Sequence, residues 1–238
     1  MRFTLEVFER FLKEVELARY REETQHVKTV EQDLNKNMQA LDTIYSIYWS
    51  KEGKKYETPP TFDQFYKIYF KKCKEAIMKF WDESGYGKRC NCFKNGLRAR
   101  IYRTWTSIIT QIHAAYLAEE IFGEGSVEQY TELDHQNIDF QIHTENGLIK
   151  VQVKKTTNRK EISRMNDRSE NSPDIKYIRY YVPTDKQYSQ PRYVRGENAG
   201  QLFDWAEQFV EFSENGFLNR YENGFITFTK EGLKKLLK

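Results

Sequence analysis

The chain reads as an α/β protein, a central mixed sheet flanked by helices and preceded by an N-terminal helical layer. Three observations predict this. Residues 97–122 carry a long helical stripe, residues 137–155 alternate on both sides of a turn, and helices precede that hairpin while strands and helices mix after it. The expected organisation is a helical region over residues 1–96 and a core over residues 97–238.

Phe3, Val7, Phe8, Phe11, Leu12 and Val15 recur at helical spacing with charges between them, so residues 3–20 predict a helix. The stretch HVKTVEQDLNKN then reads as a loop. Residues 38–49 predict a second helix ending on Tyr45, Tyr48 and Trp49, after which Gly53, Pro59 and Pro60 interrupt the chain. Thr61 and Asp63 are cap residues for a helix running to about Trp81, and ESGYGKRCNCF supplies the next turn. Within residues 97–122, Leu97, Ile101, Trp105, Ile108, Ile112, Ala115 and Leu117 form one apolar face, and Gly123 and Gly125 stop the helix. Its charges oppose the macrodipole, with Arg98, Arg100 and Arg103 near the start and Glu119 and Glu120 in the last turn. That placement points to other partners for those side chains.

In the hairpin, Ile138, Phe140 and Ile142 alternate with Asp139, Gln141 and His143. Beyond the turn HTENG, Ile149, Val151 and Val153 alternate with Lys150, Gln152 and Lys154, and Asn146-Gly147 is a common turn pair. YIRYYV at 177–182 predicts a strand closed by Pro183, residues 200–212 a helix, GFITFT at 224–229 a short strand, and KEGLKKLLK a closing helix.

The net charge of +3 conceals a gradient. Residues 150–195 hold twelve Lys/Arg against five Asp/Glu, whereas residues 1–149 and 196–238 are each slightly acidic. A basic block of this kind is an electrostatic footprint for a polyanion, or else a solvated loop. No apolar run is long enough for a membrane span, and the opening MRFTLEVFERFLKE lacks the apolar block of a signal peptide. Cys73, Cys90 and Cys92 are few and odd in number, which makes a reducing cytoplasm the expected location. Cys90-Asn91-Cys92 is too tight for the usual zinc pairing, so free thiols are expected there. His113 within the long helix reads as a packed residue, and the absence of a phosphate-cradling glycine loop disfavours a nucleoside-triphosphate enzyme.

Alternation sorts the hairpin. If the isoleucines and valines face the core, Asp139, Gln152 and Lys154 share the opposite surface of strands roughly 5 Å apart. A carboxylate, an amide oxygen and an ammonium gathered there suit phosphodiester hydrolysis. Asp139 would hold Mg²⁺, with the Gln152 amide oxygen and the Val153 main-chain carbonyl as auxiliary ligands. Lys154 would orient the attacking water or stabilise charge on the phosphate. Gln in place of a second acid lowers the charge of the site, and Glu119, Glu120, Glu132, Asp134 and Glu161 are candidates to restore it. The bland alternative is a hairpin with a solvated polar face.

Four segments are familiar together: KTVEQDL at 28–34, LRARIYRTWTSIITQIHAAYL at 97–117, NIDFQIHTENGLIKVQVKK at 137–155 and NGFITFTKEGL at 223–233. They resemble the TaqI family of type II restriction endonucleases, and the similarity spreads from near residue 3 to near residue 236. The resemblance implies a Mg²⁺-dependent endonuclease with a PD-(D/E)XK nuclease-like core, cutting double-stranded DNA at a short palindrome, TCGA for the family's namesake. It matches Asp139 to the motif aspartate and Lys154 to the motif lysine. Gln152 stands where the general pattern has Glu or Asp, and the family itself uses Gln there. Ile138 stands where the general pattern has proline.

Both readings agree on DNA. Arg98, Arg100 and Arg103, with Lys155, Arg159, Lys160, Arg164 and Arg168 of a DNA-contacting segment over 155–200, are the expected phosphate or base contacts. A palindromic target favours a homodimer, and a restriction enzyme implies a separately encoded methyltransferase that protects the host. Two rival functions are a structure-specific repair nuclease and a non-catalytic DNA-binding module on a nuclease fold.

Overall fold

The computed structural model describes residues 3–24, 34, 36–50, 55–84, 91–156, 174–181, 211–212 and 214–237. The chain divides into two compact units, Met1–Ile112 and His113–Lys238. The division falls inside the long helix, later than residue 96, because Leu97, Ile101 and Trp105 are buried with the N-terminal helices.

The first unit is helical. The amphipathic stretch expected over 3–20 is two helices, α1 (Leu5–Glu14) and α2 (Leu17–Thr24), because Val15 turns extended between them. A 3₁₀ turn at Lys36–Met38 leads into α3 (Leu41–Tyr48). Thr61 caps α4 (Phe62–Lys72) in a full capping box with Gln64, and a break at Cys73 separates α4 from α5 (Lys74–Glu83) where one helix was expected. Helix α6 runs over Asn91–Phe122 and starts earlier than its apolar stripe suggests.

The core of this unit is aromatic. Trp105 lies edge-on to Phe11 at 6.1 Å, and Phe62 sits 5.5 Å from it. The Trp105 indole N–H donates to the Tyr48 hydroxyl at 3.0 Å, which donates to the Pro60 carbonyl at 2.6 Å. A polar chain therefore crosses the core with no orphaned atom. Arg98 is held beside this core. Its guanidinium donates to Asp63 at 2.7 Å and to Glu23 at 3.2 Å, and lies over the Phe62 ring at 5.0 Å and the Tyr66 ring at 5.4 Å. Cys73 is a free thiol, whereas Cys92 is disulfide-bonded, which corrects the expectation of free thiols at that residue.

The second unit carries the sheet. Helix α6 ends at Gly123, whose φ of 109° only glycine adopts easily. The acids that oppose the dipole are occupied: Glu119 accepts the Gly125 N–H at 2.8 Å and Glu120 pairs with Lys230 at 3.6 Å. Strand β1 (Val127–Glu128), helix α7 (Thr131–His135) and strands β2 (Phe140–Thr144), β3 (Gly147–Thr156) and β4 (Ile175–Tyr181) follow. The sheet order is β1-β2-β3-β4, antiparallel at the first two pairings and parallel between β3 and β4. A separate antiparallel pair, β5 (Leu218–Arg220) and β6 (Ile226–Phe228), precedes α8 (Lys230–Leu237). The helix expected at 200–212 lies almost wholly outside the described residues. Among the described residues no helix is long and apolar enough to cross a membrane.

Arg98→Ala is expected to lower the stability of the protein by about 0.5–2 kcal/mol, since it uncovers two rings and removes one partner from Asp63 and Glu23, which Arg19 still pairs. Arg98→Lys should restore only part of that, because ammonium cannot reproduce the planar fork. Urea denaturation of the three proteins checks this, and an unchanged midpoint for Arg98→Ala would refute it.

Candidate active site

Strand register places Phe140 opposite Val151, so Asp139, one residue beyond the ladder, stands against Gln152. Lys154 lies on the same face, and so does Tyr177, in register with Gln152 on β4. The opposite face carries Phe140, Ile142, Val151 and Val153, all buried. The alternation read from the sequence therefore holds. The solvated outer face does not: Asp139 is 2% exposed and Gln152 4%, so this end of the polar face is as dry as the core.

Asp139 is fixed at both ends. Its N–H donates to the Val151 carbonyl at 2.8 Å, and its Oδ2 accepts the Val153 N–H at 2.6 Å. Backbone groups alternate sides along a strand, so the Val153 carbonyl faces the same edge as its N–H. Desolvation pushes the Asp139 carboxyl up to about 7; Lys154 and the Val153 N–H oppose that rise, and Asp134 adds to it. Asp134 is itself raised by desolvation, against the pull of Lys154 and His135. Asp134, Asp139 and Lys154 thus share one electrostatic environment.

Helix α7 delivers Asp134 to this place. The helix ends in a Schellman turn: the Asn137 N–H donates to the Asp134 carbonyl and the Ile138 N–H to the Leu133 carbonyl, both at 2.9 Å. Asn137 takes φ 61°, the single non-glycine residue with positive φ among those described. Leu133 and Ile138, the apolar pair of such a turn, are both buried. The sequence signal for this helix is Asn before Ile, an αL cap ahead of an apolar anchor, and periodicity over five residues is too short to reveal it.

Of the other acids considered, Glu119 and Glu120 are bound elsewhere and Glu132 is exposed. Glu161 lies outside the described residues, as do Arg159, Lys160, Arg164 and Arg168. Lys155 belongs to β3. Arg103 is exposed, Arg100 half-buried, and Arg98 engaged with Asp63 and Glu23. None of these three arginines lies in the unit that holds Asp139.

Among the described residues no three His, Cys, Asp or Glu side chains gather as a metal cage. The candidate donors on this edge and face are the Asp139 carboxylate, the Val153 carbonyl and the Gln152 amide, all oxygen, with Asp134 acting on Asp139 electrostatically. Such a set fits a small hard cation that keeps much of its water and binds through one or two carboxylates.

A family model for the TaqI restriction endonuclease matches residues 5–238. The chain belongs to the TaqI restriction endonuclease family. It is 31% identical over 237 residues to the type II restriction enzyme TaqI of Thermus aquaticus, spanning 98% of this chain and 86% of that protein. It is 32% identical over 235 residues to the type II restriction enzyme TthHB8I of Thermus thermophilus, with the same coverage of 98% and 86%. No solved structure matches the chain.

This TaqI-family chain has a physical reason for Ile138 ahead of Asp139. The Ile138 N–H closes the Schellman turn on Leu133, and proline has no N–H to give. The turn and a motif proline exclude each other.

Two predictions follow from this geometry. Asn137→Gly should preserve both fold and activity, whereas Asn137→Val should cost about 1–2 kcal/mol through the strained φ. Calorimetry and DNA-cleavage assays on both variants check the pair. Asp139→Asn keeps the acceptor for Val153 and removes the buried charge. The folded wild type holds a proton that the unfolded chain releases between about pH 4 and 7, so wild-type stability falls across that window. In metal-free buffer, Asp139→Asn should match wild type near pH 4 and exceed it by a few kcal/mol at pH 8, at about 1.4 kcal/mol per pKa unit. Equal melting temperatures at pH 8 would refute it.

Proposed function

We propose that this protein is a type II restriction endonuclease that hydrolyses double-stranded DNA at a short palindrome, TCGA, with Mg²⁺, on a PD-(D/E)XK-type core. The observation that carries the reading is Asp139, buried with Gln152 at one end of a sheet face that also carries Lys154; Asp134 of α7 and Lys154 both act on its carboxyl electrostatically. The family membership and the restriction enzymes among its relatives support the same reading.

Each residue has a distinct task. Asp139 and Asp134 supply the negative charge that holds the cation, with the Val153 carbonyl and the Gln152 amide oxygen as neutral donors on the same edge and face. Mg²⁺ bound there would polarise the phosphate and lower the pKa of a water. Lys154 lowers both acids through its charge and lies on the sheet face that carries Asp139 and Gln152. There it orients the attacking water or offsets charge on the phosphate oxygens. Exclusion of bulk water at Asp139 and Gln152 strengthens each of these interactions.

A palindrome read by identical subunits makes a homodimer the natural assembly, and host DNA requires a protecting methyltransferase. The substrate places the enzyme in the cytoplasm. Arg100, Arg103, Lys155 and the basic side chains Arg159, Lys160, Arg164 and Arg168 remain the proposed phosphate or base contacts, and Arg98 is retained with them only if DNA displaces its carboxylate partners.

Digestion of unmethylated phage DNA tests the reading. Discrete fragments with ends at TCGA are expected with Mg²⁺ and none with chelator. Asp139→Ala and Asp134→Ala should reduce cleavage to background, and Lys154→Ala should lower kcat by about 10²–10⁴-fold. Cutting only at flaps or junctions would indicate a repair nuclease. Tight DNA binding with no cleavage under any divalent metal would leave a binding module.

A further inference from the structure

The polar face of the sheet does not end at Asp139. In order along β2 it carries Asp139, Gln141 and His143, and along β3 Gln152, Lys150 and Leu148 in register with them. Exposure rises along this series. Asp139 and Gln152 are buried, Gln141 and Lys150 half-buried, and His143 and Leu148 exposed. The face is therefore a ramp that opens from the acids toward the hairpin turn at Glu145 and Asn146.

One row of the ramp is electrostatically sorted. Across the strands it reads Glu128, Gln141, Lys150. Glu128 is occupied: the Gln141 amide donates to it at 2.6 Å, and His143 Nε2 lies 3.3 Å from the same oxygen. These two partners hold the Glu128 carboxyl below its usual range. Lys150, on the far side of Gln141, has no carboxylate within ion-pairing distance among the described residues. Gln141 thus holds the acid on its own side of the row, and among the described residues the ammonium has no carboxylate opposite it.

Spacing gives that ammonium a use. Lys150 and Lys154 lie four residues apart on one face of a strand, about 13 Å at roughly 3.3 Å per residue. A DNA strand rises about 3.4 Å per charge along its axis, so two lysines so placed meet different phosphates of one strand. A DNA strand lying along β3 with its scissile phosphate at Lys154 would pass over Lys150.

We propose that Lys150 is a substrate-binding residue that grips a backbone phosphate flanking the scissile one, with Gln141 holding Glu128 away from it. The proposal rests on the nuclease reading above. Lys150 carries a phosphate contact and no share of the chemistry, so its loss weakens capture of DNA and leaves turnover intact.

The test uses the full-length protein with Mg²⁺ and an unmethylated plasmid containing TCGA. Lys150→Gln is expected to raise KM about three- to tenfold, to leave kcat within twofold, and to reduce the slope of log(kcat/KM) against log[salt] by about 0.9. Lys150→Arg should restore KM and slope, and the melting temperatures of both variants should match wild type. Glu128→Gln, which removes the competing acid, should lower KM. An unchanged KM and salt slope in Lys150→Gln, or a loss confined to kcat, would overturn the proposal while wild-type cleavage still supported the nuclease reading. A wild-type protein that cuts no DNA would overturn both.

Discussion

The hydrogen bond from the Val153 N–H to Asp139 Oδ2 is the contact on which the site depends. It locks a carboxylate onto the central strand at the point where the β2–β3 ladder ends. A carboxylate as buried as Asp139 would ordinarily be neutral or paired. Here it is neither fully, since one oxygen takes a backbone donor and Lys154 offers only a field. The site is thus held in a state of electrostatic demand by a rigid backbone, which is how geometry can be fixed before a cation or substrate arrives.

Asp134 enters the field of Asp139 from outside the hairpin, on α7. In the general nuclease pattern both carboxylates come from the hairpin, the second at the position of Gln152. Here the turn after α7 brings Asp134 into the field of Asp139, through two hydrogen bonds and one residue in the left-handed region. With Asp134 present, a carboxylate at Gln152 would add a third negative charge near two acids that desolvation already raises. A neutral amide offers an oxygen without that repulsion. The substitution at Gln152 and the short helix are two parts of one arrangement, and so is the isoleucine that stands where a proline is expected.

How much of this could be read from residues alone follows from which forces are local. Period-two alternation is local, so the hairpin, its register and the shared face of Asp139, Gln152 and Lys154 were legible. The cap at Thr61 and the stop at Gly123 were legible for the same reason. Burial is not local: alternation separates two faces but does not say which one is covered, and so the dryness of Asp139 was not foreseen. The breaks at Val15 and Cys73 carry no glycine or proline, so one apolar stripe read as one helix in each case. The reversed charges of α6 were a true signal with a structural answer, in Asp63, Glu23, Gly125 and Lys230. Cys90-Asn91-Cys92 showed the limit of spacing arguments, since excluding zinc did not make Cys92 a free thiol.

Desolvation acts on the site in two opposing ways. It makes every interaction with a phosphate or cation stronger, because no water competes for the same charges. It also lifts the Asp139 carboxyl to about 7, so that the carboxyl retains a proton into the neutral range. The cation proposed for this site would compete with that proton, and its binding would release it. Lys154 limits this competition, since its charge lowers both acids at once without occupying either. A lysine at this position acts on the protein before any ligand binds: it pulls both carboxyls back toward ionisation, which would ease the displacement of the proton by the proposed cation.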